Sequence, residues 1–495
     1  MSENTTTVRA PEGATPTANP WPALWALVIG FFMILVDTTI VSVANPAIKA
    51  ALDPATANLD NVVWVTSSYL LAYAVPLLVT GRLGDRFGPK NIYLIGLAIF
   101  TVASVACGLS GSLAALIVAR AVQGLGAAMM TPQTMAVITR TFPAERRGAA
   151  MGLWGATAGV ATLVGPLAGG LLVDGFGWEW IFFVNIPVGI VAFVLAWRLV
   201  PQLETHPHRF DIVGVILSAV ALFLIVFGLQ EGEHYDWAPG IWLMIAAGLV
   251  VLGVFIWTQS RTKSEPLVPL ELFRDRNFAI SNLAIAAVGF TVTSMALPMA
   301  FFTQLARGLT PTQSALLLVP MAILSGALAP VAGRILDRVD PRLLLVPGLG
   351  LMVVGLGGYA LLMNTEAPVL LLLIPAAIIG VANAGMWGPL ATTATRNLPP
   401  RQAGAGSGIY NTTRTVGSVV GSSAIAAFMQ SRLEANLPGA GDAAGGGFGE
   451  EAMPPAVAEG FSSAMAQAML LPAVVIAAAA IVVVFLKRPA HLGRR

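Results

Sequence analysis

The strongest constraint on this chain is a series of apolar runs, each about 20 residues long, that recur from Trp21 to Leu486 between short charged segments. At a rise of about 1.5 Å per residue, such a run forms a helix that crosses about 30 Å of hydrocarbon. A backbone in lipid must satisfy its own hydrogen bonds, and the runs lack the period-two alternation of barrel strands. The sequence therefore predicts an all-α polytopic membrane protein.

Composition agrees with a chain that lies in lipid. Of 495 residues, 56% are hydrophobic and 11% are charged, whereas soluble domains carry roughly 25% charged residues. Cys107 is the only cysteine, which excludes an internal disulfide and a cysteine-based zinc cluster. The four histidines fall in predicted loops and no GxxxxGK[ST] loop occurs, so we expect no enzyme activity, no metal, no cofactor and no ATP drive.

The apolar runs predict fourteen spans arranged as six, two and six. The spans are 22–46, 61–80, 91–110, 113–138, 149–173, 179–199, 212–229, 240–258, 277–302, 313–333, 342–363, 368–394, 405–430 and 461–486. This arrangement gives a disordered cytoplasmic tail (1–20), an N-terminal six-helix bundle (21–200), two linker helices (201–276), a C-terminal six-helix bundle (277–486) with an external loop (431–460), and a short tail (487–495).

Charges predict which side of the membrane each loop occupies. With the amino terminus inside, 22 of the 27 Lys and Arg residues are cytoplasmic, three are external and two lie within spans. The external loops hold thirteen of the 25 acidic residues. This positive-inside bias predicts an inner-membrane protein with both termini in the cytoplasm.

Two sequence motifs each occur twice in the chain, once in each predicted half. GRLGDRFGPK at 81–90 reappears as GRILDRVDPR at 333–342, and TRTFPAERRGAAMG at 139–152 reappears as TRNLPPRQAGAGSG at 395–408. Parallel halves related by an axis along the membrane normal are typical of transporters that bind their cargo between the halves. The repeat therefore favours a transporter, although duplication also builds channels.

The chain resembles a known family through an ordered set of motifs. They are LVDTTIVSVANPAI in span 1, WVTSSYLLAYAVPLL in span 2, GRLGDRFGPK after it, LIVARAVQGLGAAMMTP in span 4, GPLAGG in span 5 and WEWIFFVNIPVG at the start of span 6. With these motifs the chain resembles the fourteen-span drug:proton antiporter branch of the major facilitator superfamily. The resemblance implies a secondary exporter that exchanges protons for amphipathic compounds, and it leaves the compounds undefined.

Two charged residues form the predicted coupling site. Asp37 is the only carboxylate placed inside a span, and a membrane-embedded acid is a functional candidate by default. It lies about 9 Å from the outer edge of the hydrocarbon and Arg120 lies about 10 Å from it, so the two side chains share a depth. We expect Asp37 to bind the coupling proton or a cationic substrate in turn, with Arg120 as its counter-charge. The alternative is a structural ion pair.

A second intramembrane cation, Arg414 in span 13, has Asn411 beside it and no acid of its own within a span. The excess of positive charge favours neutral, monocationic or anionic amphiphiles. The alternative for Arg414 is solvation by a water-filled crevice or by backbone carbonyls. Aromatic and Met side chains are expected to line an apolar cavity, with packing against lipid as the alternative: Trp64, Tyr69, Tyr73, Phe301, Phe302, Met386 and Trp387.

The repeated loops are the predicted gates. Gly81, Arg82, Asp85, Arg86 and Lys90 form a latch in the first half, in which Asp85 accepts hydrogen bonds from a helix amino terminus or an arginine. Arg334, Asp337 and Arg338 repeat it in the second half. The alternative is that these residues form a cytoplasmic charge cluster that only satisfies the positive-inside rule.

Span 5 carries small residues that let a partner helix approach closely. Gly155 and Gly159, then Gly165 and Gly169, fall at small-xxx-small spacing, and Pro166 is expected to kink the helix. We expect this surface to seal an outward gate, with generic helix packing as the alternative.

Three other functions stay open: a lipid or glycolipid translocator of the same fold, an importer or uniporter, and a membrane scaffold or sensor. The expected partners are an amphipathic small molecule or a lipid, protons and the bilayer. We expect no nucleic-acid partner and a monomer.

Overall fold

We describe the protein from a computed structural model that covers residues 19–52, 62, 64–143, 146–205, 211–232, 234–262, 266–437 and 455–488. Within these ranges the secondary structure is helical, with no strand. Most of the predicted tail 1–20, of the predicted external loop 431–460 and of the tail 487–495 lies outside the described residues, as do His206, His208 and His491.

Ten helices occupy the first half of the described chain and the linker. They are α1 (Trp21–Ala51), α2 (Trp64–Ala74), α3 (Leu77–Phe87), α4 (Pro89–Gly108), α5 (Leu113–Thr141), α6 (Arg147–Phe176), α7 (Trp180–Phe183), α8 (Asn185–Leu199), α9 (Ile212–Glu231) and α10 (Pro239–Arg261).

Eight helices follow in the second half. They are α11 (Arg276–Phe301), α12 (Pro311–Leu316), α13 (Val319–Leu336), α14 (Arg342–Leu362), α15 (Leu373–Thr395), α16 (Ala403–Asn436), α17 (Pro455–Ala468) and α18 (Leu470–Val483). Short 3-10 or π turns precede α11 and α15 and follow α11.

Local sequence explains several helix starts. Asp211 and Asp275 cap α9 and α11, accepting hydrogen bonds from the backbone amides of Gly214 and of Asn277 and Phe278. Thr310 forms a capping box with Gln313 at the start of α12. Such caps satisfy amides that the first helical turn leaves without partners.

The predicted span positions agree with the helices, and the count of fourteen stays a prediction. Twelve helices or helix pairs are long and apolar enough to cross a membrane, and α2 with α3 would be a thirteenth, bent by 46° at Pro76. Helix α16 has 34 residues but is not among them. Its buried polar side chains include Ser407, Asn411 and Thr415, which explains how so polar a segment can pack in the bundle.

The two halves meet along crossed helix pairs. Helix α6 of the first half packs against α13 and α15 of the second, while α16 of the second half packs against α3 and α5 of the first. The linker helix α9 contacts both α2 and α16, so it covers one seam between the halves. These contacts place α2, α5 and α16 around the charged residues described below.

Candidate functional site

Asp37 and Arg120 form an ion pair inside the first half. Arg120 Nη1 lies 2.5 Å from Asp37 Oδ2, and both side chains have 0% exposure. The pair joins α1 to α5 because the two charges lie at matching depths on neighbouring helices. The structure thus brings together the two residues that the sequence places at one depth, while their role in coupling stays a prediction.

Two amide side chains complete the surroundings of the Asp37 carboxylate. Gln123 Nε2 and Asn185 Nδ2 each donate to Asp37 Oδ1 at 2.9 Å. Gln123 Oε1 accepts from Arg120 Nη1 at 2.6 Å, and Gln123 Nε2 also lies 2.8 Å from Ser104 Oγ. With donors from three side chains, the carboxylate is well suited to carry a negative charge in a dry environment.

Sequence reasoning missed these neutral partners. Gln123 lies three residues after Arg120, so both side chains share one face of α5, which is the signal that could have identified it. Asn185 follows a run of apolar residues at the start of α8 in WIFFVN, and its isolation there was a weaker signal.

Arg120 also contacts an aromatic side chain that leads towards the second half. Its Cζ lies 4.1 Å from the centroid of the Tyr69 ring, and its Nε donates to the Val65 carbonyl at 3.1 Å. The Tyr69 and Tyr73 rings are parallel within 2°, with centroids 6.3 Å apart. The hydroxyl of Tyr73 then accepts a hydrogen bond from Arg414 Nη2 at 3.3 Å.

These contacts form a tyrosine bridge, which we define as Tyr69 and Tyr73 between Arg120 and Arg414. The bridge connects the ion pair of the first half to the intramembrane cation of the second half. Arg414 has the partner that the sequence left unidentified, and that partner is a neutral hydroxyl and not an acid.

Asn411, one turn before Arg414, faces the first half as well. Its Nδ2 donates to the Ser407 carbonyl at 2.9 Å and lies 3.9 Å from the sulfur of Met135 on α5. Asn411 has 0% exposure. It therefore contributes to the contact between α16 and α5.

The first latch joins α3 to the amino terminus of α16. Asp85 accepts hydrogen bonds from the backbone amides of Gly404 and Ala405, each at 3.0 Å, and pairs with Arg140. Gly81 and Gly404 lie so close that a Cβ on either would clash with the carbonyl of the other. Gly88, at φ +90°, and Pro89 then turn the chain into α4.

The second latch repeats this geometry with the halves exchanged. Asp337 Oδ1 accepts a hydrogen bond from the backbone amide of Gly148 at the start of α6, at 2.9 Å. Gly148 and Gly333 make the same close approach as Gly81 and Gly404. Each half thus holds the amino terminus of a helix from the other half, so the two latches join the halves at the starts of α6 and α16.

The predicted loops are largely helical, because α3 continues to Phe87 and α13 to Leu336. The remaining basic residues of these segments differ in their contacts. Arg82 donates to the carbonyls of Pro266 and Leu267, which follow the linker helices, and Lys90 donates to the Trp197 carbonyl at 2.6 Å. The Arg86 guanidinium lies 5.1 Å from the Phe87 ring centroid. Arg334 and Arg338 are exposed.

The aromatic and Met side chains predicted for a cavity occupy several environments. Trp64 packs on Phe227 of α9, at 5.6 Å between centroids. Phe301 is 41% exposed, whereas the adjacent Phe302 is buried. Met386 and Trp387 are buried in an apolar cluster to which both halves contribute. Tyr69 and Tyr73 alone among the seven contact the charged residues of the described site.

Helix α6 shows that the predicted small-residue surface is not one surface. Gly155 packs against Trp387 and Gly159 against Ser325, both in the second half. Gly165 instead packs against Thr39 of α1, in its own half. Helix α6 continues through Pro166, and Gly169 is buried. Two faces of one helix therefore make two different contacts.

No metal site was predicted, and within the described ranges no group of three His, Cys, Asp or Glu side chains comes together as metal ligands would.

Comparisons with known proteins agree with this architecture. The chain is 52% identical to the uncharacterized MFS-type transporter Rv1250 of Mycobacterium tuberculosis, covering 97% of this chain and 83% of that protein. It is 34% identical to the tetracenomycin C resistance and export protein of Streptomyces glaucescens (85% and 80%) and to the multidrug resistance protein Stp of M. tuberculosis (83% and 76%).

Solved structures share the fold at lower identity. The proton:xylose symporter XylE superposes with a TM-score of 0.63 at 16% identity, covering 94% of this chain and 96% of that one. The sequence profile of the Major Facilitator Superfamily matches residues 27–422. With crossed helix pairs, reciprocal latches and this match over most of its length, the chain belongs to the major facilitator superfamily and is a multi-pass membrane transporter.

Proposed function

We propose that the protein is a proton-coupled antiporter that exports amphipathic small molecules by alternating access. It lies in the inner membrane with both termini in the cytoplasm. The relatives named for tetracenomycin C export and multidrug resistance support the direction and the kind of cargo. The proton gradient is the only energy source that the proposal requires.

The observation that carries the proposal is the buried ion pair of Asp37 and Arg120. Protonation of Asp37 would remove the charge that balances Arg120, and a buried cation without a counter-charge is strongly unfavourable. The pair joins α1 to α5, so a proton on Asp37 would weaken the contact between these helices and favour a rearrangement. This is a direct way to convert proton binding into a conformational change.

The two latches support alternating access. Both tie the cytoplasmic ends of the halves together through hydrogen bonds to Asp85 and Asp337. Opening towards the cytoplasm must break both, whereas an outward-open state can keep them. Each latch therefore acts as a two-state contact whose balance the proton site can shift.

The energy of one proton is sufficient. A proton that crosses about 100 mV releases about 2.3 kcal/mol, and each tenfold gradient requires about 1.4 kcal/mol. One proton per cargo molecule therefore supports roughly fortyfold accumulation before any pH difference is added.

Flux driven by a pH gradient in vesicles tests the proposal. The purified protein in proteoliposomes should drive uptake of fluorescent amphiphiles when the lumen is acidic, in the inside-out orientation. Asp37→Asn should abolish this flux, and Glu366→Gln, the same change at an exposed loop acid, should retain it. Gradient-driven flux through Asp37→Asn at the wild-type rate would exclude Asp37 as the coupling site.

A lipid or glycolipid translocator is the second candidate, favoured by one observation. Among the described residues Arg414 has no counter-charge, and it lies beside the seam that α9 covers, a position suited to an anionic headgroup. Movement of a fluorescent phospholipid between leaflets, dependent on Arg414 and faster than that of any small amphiphile, would favour this function over drug export.

A further inference from the structure

Arg414 has no counter-charge in the part of the chain that the structure describes. None of the ion pairs there involves it, and its Nε is buried without a hydrogen-bond partner. Its one hydrogen bond goes to the hydroxyl of Tyr73 at 3.3 Å. The nearest acid of the site, Asp37, already receives Arg120, Gln123 and Asn185.

The hydrogen bonds beyond Tyr73 leave the positive charge in place. Tyr73 donates to Thr131 Oγ1 at 3.3 Å, and Thr131 donates to the Ala127 carbonyl at 3.1 Å. Every group in this chain of donors is neutral. These hydrogen bonds orient the guanidinium and satisfy one of its N–H groups, but they supply no negative charge.

The position of Arg414 allows a ligand to reach it. It lies eleven residues into α16, about 16 Å from the cytoplasmic end of that helix, and its side chain is partly exposed. One turn further, Val419 packs with Val226 of α9 and Ala74 of α2, and Ser423 donates to the Leu229 carbonyl at 2.5 Å. Helix α9 thus packs beside this part of α16, and Arg414 meets Tyr73 where the second half contacts the first.

We infer that Arg414 binds an anionic group of the cargo, so the preferred substrates are amphiphiles with a carboxylate, sulfonate or phosphate. This inference rests on the proposed function in taking the space between the halves as the cargo site. The Arg414 guanidinium offers an anionic group a charge-assisted hydrogen bond. An amide oxygen accepts only a weaker bond from it, and an ammonium group has no acceptor. A cationic cargo would instead be repelled.

A headgroup series on one tail tests the inference. Binding of NBD-labelled dodecanoic acid, its amide and the corresponding amine is measured by fluorescence anisotropy on the full-length protein in nanodiscs, at pH 8 and without a gradient. The wild type should bind the acid about 10- to 100-fold more tightly than the amide, with the amine weakest. Equal binding of acid and amide, or a preference for the amine, would overturn the inference.

Variants assign the preference to one side chain. Arg414→Gln should bind acid and amide equally, whereas Arg414→Lys, which keeps the charge, should retain part of the preference. Arg432→Gln, the same change near the external end of α16, should bind like the wild type. A full acid preference in Arg414→Gln would contradict the inference even if that variant were less stable, because selectivity is a ratio.

Two further measurements identify the kind of anion that Arg414 binds and distinguish failure of this inference from failure of the proposed function. Displacement of the acid by dioctanoyl phosphatidylglycerol but not by dioctanoylglycerol assigns a lipid phosphate as the anion, and no displacement assigns a small acid; both support an anion site. An Arg414-dependent acid preference without gradient-driven flux supports this inference and contradicts antiport.

Discussion

At the scale of single residues, Asp37 is notable for how completely its charge is balanced. Three side chains donate to it, and the Arg120 that pairs with it is itself held by the Val65 carbonyl, Gln123 and the Tyr69 ring. Removing either Asp37 or Arg120 therefore leaves the other charge buried without a counter-charge. The pair contributes little net stability compared with two apolar residues, but breaking it by removing one charge is strongly destabilising.

The first prediction separates charge balance from function. Arg120→Met should lower the free energy of unfolding by about 3–5 kcal/mol because it leaves the Asp37 carboxylate buried without a counter-charge. The double variant Arg120→Met with Asp37→Asn should regain most of that stability and still fail to couple flux to protons. Titration with sodium dodecyl sulfate measures stability, and proteoliposome flux measures coupling. An additive loss in the double variant would show that the two charges do not interact.

Charge made part of this site predictable from sequence. Asp37, Arg120 and Arg414 are identifiable because charged residues are costly in apolar spans and therefore rare there. Gln123 and Asn185 are neutral amides, which carry no such signal. The link from Tyr73 to Arg414 joins residues 341 positions apart, and only the packing of α2 against α16 could reveal it.

At the scale of helices, the latches depend on glycines at helix crossings. Gly81 lies against the backbone of Gly404, so α3 and α16 touch with no side chain between them. That approach lets the Asp85 carboxylate reach the two free amides at the start of α16, where the helix dipole adds to the attraction. The contact therefore needs both the short distance and the acid.

The second prediction tests this approach. A Cβ in Gly81→Ala would clash with the Gly404 carbonyl, so we expect the carboxyl-terminal part of α3 to separate from the start of α16. Spin labels at Phe87 and Arg401, in a background with Cys107→Ser, should report a shift to longer distances. The matched control is Gly350→Ala, whose Cβ would meet nothing within 4 Å. Identical distance distributions in Gly81→Ala and the wild type would rule out the latch as a determinant of this state.

Helix positions were predictable because long apolar runs have one physical interpretation in lipid. Details that depend on tertiary contacts were not predictable. The break between α2 and α3 at Pro76 divides one predicted span, and Gly165 packs towards α1 while Gly155 packs towards the second half. Spacing along α6 marks small residues, but it cannot say which helix meets each face.

At the scale of the whole molecule, the contacts between the halves include three that involve charged side chains. The two latches join the halves at the amino termini of α6 and α16, and the tyrosine bridge joins the ion pair of Arg120 to Arg414. The latches follow from a repeat that is visible in the sequence. The bridge has no counterpart in that repeat, so the two halves contribute different chemistry to one site.

The last prediction concerns communication through the bridge. Tyr73→Phe removes the hydroxyl that accepts from Arg414 and donates to Thr131, and it keeps the ring that stacks on Tyr69. We expect binding of the anionic amphiphile to persist or strengthen, because Arg414 loses a competing partner, while the number of protons moved per cargo molecule falls. Simultaneous recording of lumenal pH and cargo flux in proteoliposomes measures that ratio. Tyr359→Phe is the matched control, since the Tyr359 hydroxyl is buried in the second half without a hydrogen-bond partner among the described residues. An unchanged proton-to-cargo ratio in Tyr73→Phe would mean that Asp37 and Arg414 communicate by another route, through the latches or the other helix contacts between the halves.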